Sequence, residues 1–221
     1  MRIHLILAAV ALSSPALADP LQDQLLAGMR ATRTTDVAYV ATSHFESTGN
    51  AAHDTVTRHD GQGHFTLQSV DGKPPSPKQL AQAAKNRTPT PSYTENAKWF
   101  GAPATRVAGP NGAVVYHFAH LPPGTVKIGS HDASAQCQAD AEVATATGQP
   151  YIARVRFAST ASFRMMLVAK VERFAVTSAY APLADGRVFP TDINTRFEGS
   201  MMGKSGALTS RTRFTDAHPA H

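Results

Sequence analysis

Two pairs of histidines three residues apart are the first groups in this chain that could do chemistry. The pairs are His117 with His120 and His218 with His221. His117 and His120 fall in a predicted strand, where residues three apart point to opposite faces and cannot bind one metal ion without a bend between them. His218 and His221 are unconstrained and would bind a metal ion weakly. Three further histidines flank predicted hairpin turns, where a solvent-facing imidazole is ordinary: His53, His59 and His64. The spacings therefore predict no metal site.

Motifs for nucleophilic or phosphate chemistry are also missing from the sequence. Gly203-Lys204-Ser205 resembles the end of a phosphate-binding loop, but Glu198 stands where that loop needs its first glycine. Cys137 is the only cysteine, which excludes an internal disulfide, and it lies in a predicted polar loop. The chain has no Gly-x-Ser-x-Gly elbow and no distinct pair of carboxylates. We therefore predict no catalytic residues, no cofactor and no enzyme activity, with an exported hydrolase as the least favoured alternative.

Aromatic side chains are the remaining candidates for a binding site. Ten of those in predicted strands or in the helical insertion described below are the candidates for a ligand cavity: Tyr39, Phe45, Trp99, Phe100, Tyr116, Phe118, Tyr151, Phe157, Phe174 and Phe197. They can form an ordinary packed core, as most aromatic side chains do. Alternatively, some of them line an apolar cavity between a curved sheet and its helical cover, which is how proteins take up lipid-like ligands. The sequence leaves both interpretations open.

The stretch from Tyr151 to Tyr180 predicts the sheet that must position these side chains. Apolar residues at 151, 153, 155 and 157 fall on one face of a strand, and arginines at 154 and 156 fall on the other. A second apolar run starts at Met165 and changes phase between Val171 and Phe174, which indicates a β-bulge or a sharp bend. Such bends are typical of a strongly curved sheet. We predict a mainly β fold built on a curved antiparallel sheet.

The segments on either side of this stretch predict the other elements. A capped amphipathic helix begins at Asp19-Pro20 and ends near Thr32. Alternation of apolar and polar residues, bounded by turn residues, predicts further strands over 37–45, 54–59, 64–70, 112–121, 140–147, 193–198 and 207–215. The first three of these strands are joined by tight turns and form a meander.

Residues 71–112 interrupt the strand pattern. Their prolines cannot donate to a β-ladder, and a short helix is predicted from Pro77 to Lys85. The segment also carries Trp99, the only tryptophan, beside Phe100. Because long insertions of this kind are commonly functional, we predict a mobile lid whose two large rings face the concave side of the sheet.

Residues 1–18 have the features of a signal peptide. Arg2 precedes a short apolar run, and Ala16-Leu17-Ala18 forms a small-residue cleavage site. The run is too short to span a bilayer. We expect cleavage after Ala18, one exported, soluble domain over 19–215, and a disordered tail over 216–221. The net charge of +5 comes from scattered residues without a basic run, which argues against a nucleic-acid partner.

This combination of elements resembles the periplasmic lipoprotein-carrier (LolA-like) superfamily. The shared features are the N-terminal helix, the meander, the Pro-rich helical insertion and the long antiparallel strands. Two short runs carry the resemblance most closely. One is Val-Asp-Gly-Lys-Pro-Pro at 70–75, and the other is Tyr180 followed by Asp-Gly-Arg-Val-Phe-Pro at 185–190. The resemblance covers most of the predicted domain.

The resemblance implies an unclosed antiparallel half-barrel of about eleven strands, with helices covering its concave face. It implies a monomeric periplasmic carrier that holds the acyl chains of lipoproteins or other lipids in an apolar cavity, without a cofactor. Envelope membrane proteins are its candidate protein partners. The ten aromatic residues named above would then be the cavity candidates. An alternative with the same half-barrel is an envelope regulatory or sensor module.

Overall fold

The computed structural model describes residues 19–32, 36–85, 92–146, 148–166 and 169–220. The predicted signal peptide lies outside these residues. The helices are α1 (Pro20–Ala31), α2 (Pro77–Lys85) and α3 (Ala97–Phe100), with 3-10 turns at Tyr93–Asn96, Pro110–Gly112 and Ser134–Gln136. None of the helices in these ranges is both long and apolar enough to cross a membrane.

Strands make up most of the described chain. In order they are β1 (Val37–Ser47), β2 (His53–His59), β3 (Phe65–Val70), β4 (Thr105–Ala108), β5 (Val114–Phe118), β6 (Lys127–Ile128), β7 (His131–Asp132), β8 (Cys137–Ala146), β9 (Gln149–Ser159), β10 (Phe163–Met166), β11 (Ala169–Pro182), β12 (Val188–Met201) and β13 (Lys204–Pro219).

Eleven of these strands form one antiparallel sheet that is not closed into a barrel. The order across it is β3-β2-β1-β13-β12-β11-β9-β8-β5-β4, and β10 pairs with β11 beside this path. The two edge strands, β3 and β4, do not pair with each other, so the sheet stays open. The predicted mainly β fold with an unclosed antiparallel sheet is therefore confirmed.

Bulges curve this sheet, and one of them lies where the sequence predicted a change of phase. The pairing of β11 with β12 shifts register between Val171 and Arg173. A second bulge lies in β13 where it meets β1, and there Asp216 takes a positive φ of 54°. Each extra residue bends its strand and increases the local twist. The predicted irregularity in β11 is confirmed.

The end of the chain continues the sheet. β13 runs to Pro219, which pairs with Val37 of β1. The N–H of Ala220 then donates to the carbonyl of Asp36 at 2.7 Å. The prediction of a disordered tail over 216–221 is therefore wrong for the described part of that segment, because backbone pairing with β1 holds it.

Helix α1 begins where the sequence predicted. The Oδ1 atom of Asp19 accepts a hydrogen bond from the N–H of Leu21 at 3.0 Å, and Pro20 occupies the first helical position. This cap satisfies an N–H group that has no partner within the helix. Leu25 and Met29, one turn apart, are fully buried. The N-cap therefore stabilises the start of the helix, and burial of its apolar side chains holds it against the core.

The concave face of the sheet has two unlike halves. Over β5, β8 and β9 lie α1 and α3, and their side chains join the main core cluster, which includes Leu25, Met29, Trp99, Phe100, Tyr116, Phe118, Ile152 and Val155. Over β1, β2 and β3 lies α2, which buries none of its residues. A smaller cluster of Val37, Tyr39, Ala41 and Phe189 closes one end of this second half. We call the two parts the filled half and the open half.

Residues 71–112 are divided between these halves, which corrects the prediction of a single mobile lid. The first part carries α2 over the open half. The second part belongs to the core: Tyr93, Trp99 and Phe100 are at most 4% exposed, and β4 pairs with β5. The prolines interrupt regular secondary structure in this segment but do not prevent its second part from packing in the core.

Candidate functional site

A cavity of about 490 Å³ lies in the open half, between α2 and the strands β1, β2, β3, β12 and β13. Its size falls within the range of roughly 300–1,000 Å³ that is usual for small-molecule sites. The strands form its floor and one wall, and α2 forms its roof. This cavity is the candidate functional site.

Strand pairing arranges the floor of the cavity in three rows, because residues paired across neighbouring strands point to the same face. The first row is Phe65, His59 and Tyr39. The second row is Leu67, Thr57, Ala41 and Phe214. The third row is Val70, Thr55, Ser43, Thr212 and Ile193. The cavity therefore runs along the strands, from the first row to the third.

The first row is aromatic and forms one end of the cavity floor. The ring of His59 stacks on Tyr39, with centroids 4.2 Å apart and planes 13° apart, and on Phe65 at 5.8 Å. Burial lowers the pKa of His59, so its imidazole is uncharged at neutral pH. Tyr39 is only 3% exposed. The expectation that His59 faces solvent is wrong, because it forms part of this stack.

The third row carries hydroxyl groups. The Oγ atom of Ser43 and the Oγ1 atom of Thr212 lie 2.9 Å apart and share a hydrogen bond. Thr55 pairs with Ser43 on its other side, so three hydroxyls stand side by side across three strands. A hydroxyl can donate one hydrogen bond and accept two. The row therefore keeps hydrogen-bonding capacity beyond the Ser43–Thr212 bond.

Beyond the hydroxyl row lies the open end of the cavity. By strand alternation Phe45 continues the face of Ser43, and its side chain is 39% exposed. It pairs with His53, whose Nδ1 atom lies 3.1 Å from Oδ2 of Asp71. The end of the cavity beyond the hydroxyl row is therefore exposed at Phe45 and His53, and the aromatic stack forms the opposite end.

The roof is a locally stabilised helix with little buried surface. At the start of α2, the N–H of the preceding Ser76 donates to Oε1 of Gln79 at 2.7 Å, and the N–H of Gln79 donates back to the Ser76 hydroxyl at 3.4 Å. This reciprocal pair is a capping box. Gln79, Gln82 and Ala83 line the cavity, while Leu80 is 44% exposed. The cap rather than core packing sets where the roof begins.

The structure places the ten predicted aromatic residues in different surroundings. Tyr39 lines the cavity, and Phe45 stands exposed at its open end. The other eight belong to the main core cluster or pack against it: Trp99, Phe100, Tyr116, Phe118, Tyr151, Phe157, Phe174 and Phe197. Most of the set is therefore brought together, but in the filled half and outside the cavity lining.

The Trp99 side chain shows how the filled half is occupied. Its indole lies 5.0 Å from the ring of Phe118 and 5.1 Å from that of Phe157, in edge-to-face contacts. These rings share a face of the sheet with Phe45, as the strand pairings show. Trp99 therefore points to the concave side, as expected, but meets packed rings there.

Two tyrosine hydroxyls tie the covering elements to the sheet. Tyr116 of β5 donates to Oδ2 of Asp19 at 2.7 Å, next to the start of α1. Tyr93, in the 3-10 turn before α3, accepts a hydrogen bond from the N–H of Ile152 at 2.8 Å. Both bonds satisfy groups in or beside the core, where an unpaired hydroxyl or N–H would be costly. They hold the cover of the filled half in place.

Other reactive chemistry in the described ranges is limited. In those ranges no group of three or more His, Cys, Asp and Glu side chains could hold a metal ion. Cys137 is the first residue of β8, not part of the predicted loop, and is 2% exposed. Burial raises the pKa of its thiol, which keeps it protonated and a poor nucleophile.

Sequence reasoning missed the polar part of the cavity lining. Ser43 and Thr212 belong to predicted strands, but neither is among the predicted site residues. The signal that could have found Ser43 is its spacing, because it falls four residues after Tyr39 on the same face. Nothing in the spacing could show that Thr212, far along the chain, lies beside it.

Comparisons with known proteins find similarity only in the fold. No family model matches the chain, and no curated protein matches it. Among solved structures, it is similar to a LolA superfamily protein from Nitrosomonas europaea at 11% identity and a TM-score of 0.41, over 92% of this chain and 95% of the other. It is also similar to the Pseudomonas aeruginosa MucA/MucB complex at 12% identity and a TM-score of 0.18, over 91% and 98%. At these identities and TM-scores the comparisons say nothing about a ligand.

Proposed function

We propose that this protein binds the acyl chain of a lipid or lipoprotein in the cavity of the open half and carries it in the periplasm. The observation that supports this most directly is the cavity itself. It is bounded by the aromatic stack at one end and by apolar side chains such as Leu67, Phe214 and Ile193 on its floor. Acyl chains are the common biological ligands that match a concave apolar surface of this size.

The energetics favour such a ligand. Each methylene group removed from water contributes about 0.8 kcal/mol, so ten of them contribute about 8 kcal/mol before the costs of ordering the complex. The roof offers a route of entry, because α2 buries none of its own side chains and little packing is lost when it moves. A ligand can therefore replace solvent in the cavity without dismantling the core.

The filled half gives the cavity a packed support. Its rings, the capped helix α1 and the two tyrosine hydrogen bonds hold the sheet on which the cavity lies. The proposed function is binding and transfer, which requires an apolar cavity and no covalent step.

Export is part of the proposal. Cleavage after Ala18 would produce a mature chain that begins at Asp19, the residue that caps α1. N-terminal sequencing of protein isolated from the periplasmic fraction is expected to begin at Asp19. A retained Met1 would contradict this part of the proposal and leave lipid binding unaffected.

Filling the cavity tests the proposal. Ala41 lies in the middle row, so Ala41→Phe places a ring in the space that the ligand would occupy. Thr42→Phe adds the same ring on the opposite face of the same strand, where the side chain is exposed, and serves as the control. Binding of radiolabelled oleate and radiolabelled 1-oleoylglycerol to delipidated protein is measured by equilibrium dialysis.

We expect Ala41→Phe to weaken binding of these lipids by at least about tenfold, which corresponds to about 1.4 kcal/mol, and Thr42→Phe to change it less than about twofold. The amount of lipid that co-purifies, measured by mass spectrometry, should be lower for Ala41→Phe than for wild-type protein, and nearly unchanged for Thr42→Phe. If wild-type protein binds neither lipid and none co-purifies, the proposed function is wrong.

A further inference from the structure

The chemistry of the cavity floor changes along its length. At one end it consists of the uncharged aromatic stack of Tyr39, His59 and Phe65. At the open end it consists of the hydroxyl row of Thr55, Ser43 and Thr212. Ser43 lies four positions after Tyr39 in β1, which is about 13 Å along an extended strand. An amphiphile fits this gradient in one direction only, with its chain towards the stack and its polar group at the hydroxyls.

Fixed charge is absent from the described residues that line the cavity. They include no Lys, Arg, Asp or Glu, and their imidazoles belong to His53 and His59. His59 lies inside the aromatic stack. His53 already has a carboxylate partner, since its Nδ1 atom lies 3.1 Å from Asp71. A ligand carboxylate would therefore enter without an unpaired cation to compensate it.

The charge of Asp71 acts in the same direction. Backbone hydrogen bonding from Asp54 lowers the pKa of Asp71, so the carboxylate beside His53 is ionised at neutral pH. A ligand carboxylate at this end would lie near a like charge, which disfavours it, whereas an uncharged head would not.

We infer that the ligand is an uncharged amphiphile, an acyl chain whose head carries hydroxyl, ester or amide groups, held with that head against the hydroxyl row of Thr55, Ser43 and Thr212. This inference rests on the proposed function and specifies its ligand class. Hydroxyls satisfy a neutral polar head because they both donate and accept. They do not repay the much larger cost of removing an ionised carboxylate from water.

Two lipids with the same chain and different heads test the inference, using the full-length mature protein. Dissociation constants of 1-oleoylglycerol and of oleate are measured at pH 8 by equilibrium dialysis. We expect wild-type protein to bind 1-oleoylglycerol at least about tenfold more tightly than oleate. The double variant Ser43→Ala with Thr212→Val should lose most of this preference, to within about threefold, by weakening the neutral lipid alone. Thr42→Val, on the opposite face of β1, should leave the preference unchanged.

A gain-of-charge variant gives an independent measurement. Thr55→Lys places an ammonium in the same row and should increase the affinity for oleate by about tenfold while weakening that for 1-oleoylglycerol. Circular dichroism confirms that each variant is folded before it is compared.

The outcomes separate the inference from the proposed function. Equal affinities for the two lipids, or a preference for oleate, would overturn the inference and leave acyl binding intact. A preference that survives in the folded double variant would place head-group recognition elsewhere and would also overturn it. Failure to bind either lipid would overturn the proposed function itself.

Discussion

The indole of Trp99 stands edge-on to the ring of Phe157, with centroids 5.1 Å apart and planes at 69°. Edge-to-face pairs of this kind contribute about 0.5–1.5 kcal/mol beyond the area they bury. Trp99 is also 4% exposed and outside the lining of the cavity. The tryptophan that the sequence suggested as a ligand contact is therefore packed among core rings, away from this cavity.

Trp99 emission should not respond to ligand. We expect no saturable shift or quenching when 1-oleoylglycerol or oleate is added, because the indole is surrounded by protein rings. Trp99→Ala should lower the free energy of unfolding by about 3–5 kcal/mol, measured by urea denaturation. The reporter variant Gln82→Trp, made with Trp99→Phe, should change its emission saturably, since Gln82 lines the cavity. A ligand-dependent shift in wild-type emission would contradict the assignment of Trp99 to the filled half.

Hydrogen exchange should divide residues 71–112 into two parts. We expect amides of α2 to exchange rapidly, because the helix buries no side chain and opens at little cost. Amides of 93–100 and of β4 should exchange more slowly, since the former belong to the core and the latter are paired with β5. Exchange measured by mass spectrometry checks this. Uniformly rapid exchange across the whole segment would restore the single mobile lid.

Removal of residues 216–221 should destabilise the fold. The deletion leaves Val37 and Ala38 of β1 without their β13 partners and removes Ala217 from the smaller core cluster. We expect a loss of about 1–3 kcal/mol in the free energy of unfolding, the range typical of buried backbone groups that lose partners. The matched variant Asp216→Gly keeps the strand and should be close to neutral, because Asp216 has a positive φ. An unchanged unfolding midpoint after the deletion would show that residues 216–221 do not contribute to the stability of the fold.

The cap of α1 should make stability depend on pH in the acid range. The hydrogen bond from Tyr116 is the main cause that lowers the pKa of Asp19 below its ordinary value of 3.8. The stabilisation is therefore complete above the unfolded-state value and is lost as pH falls through the lower folded-state value. Tyr116→Phe should destabilise the protein at pH 6 and have less effect at about pH 2–3, measured by thermal unfolding.

Asp19→Asn is the matched control for that measurement. Asparagine remains a good cap but has no charge, so this contribution to the pH dependence should disappear while the helix stays capped. Asp19→Ala should cost about 0.5–2 kcal/mol at neutral pH. An effect of Tyr116→Phe that grows as pH falls would have the wrong sign for this mechanism.

Local patterns predicted the elements of the fold well where a pattern repeats. The helix from Pro77 to Lys85 has its observed bounds, and the phase change after Val171 is a real bulge. Helix α3 has only four residues, which is too few to show a helical periodicity. Its burial in the core could therefore not be predicted from the sequence pattern. The bulge at Asp216 lets β13 continue past an irregular stretch that local pattern predicts to be a tail.

The candidate site was less predictable for a physical reason. Alternation assigns Tyr39 and Phe157 to faces of their strands, but it carries no information about what packs above each face. Trp99 covers one of these rings and a cavity lies above the other. The half of the sheet that is filled is the half over which α1 and α3 pack. Contacts between residues far apart in sequence determine where these two helices pack.

The floor of the cavity joins strands from opposite ends of the described chain, and this has a consequence for its assembly. Ser43 and Thr212, which share a hydrogen bond in that floor, are separated by 169 positions. A chain synthesised from its N-terminus delivers the meander of β1, β2 and β3 long before β13 arrives beside it, and contacts of such separation form late. In that interval one side of β1 has no neighbour. The floor of the cavity is therefore complete only after β13 has paired with β1 and placed Thr212 beside Ser43.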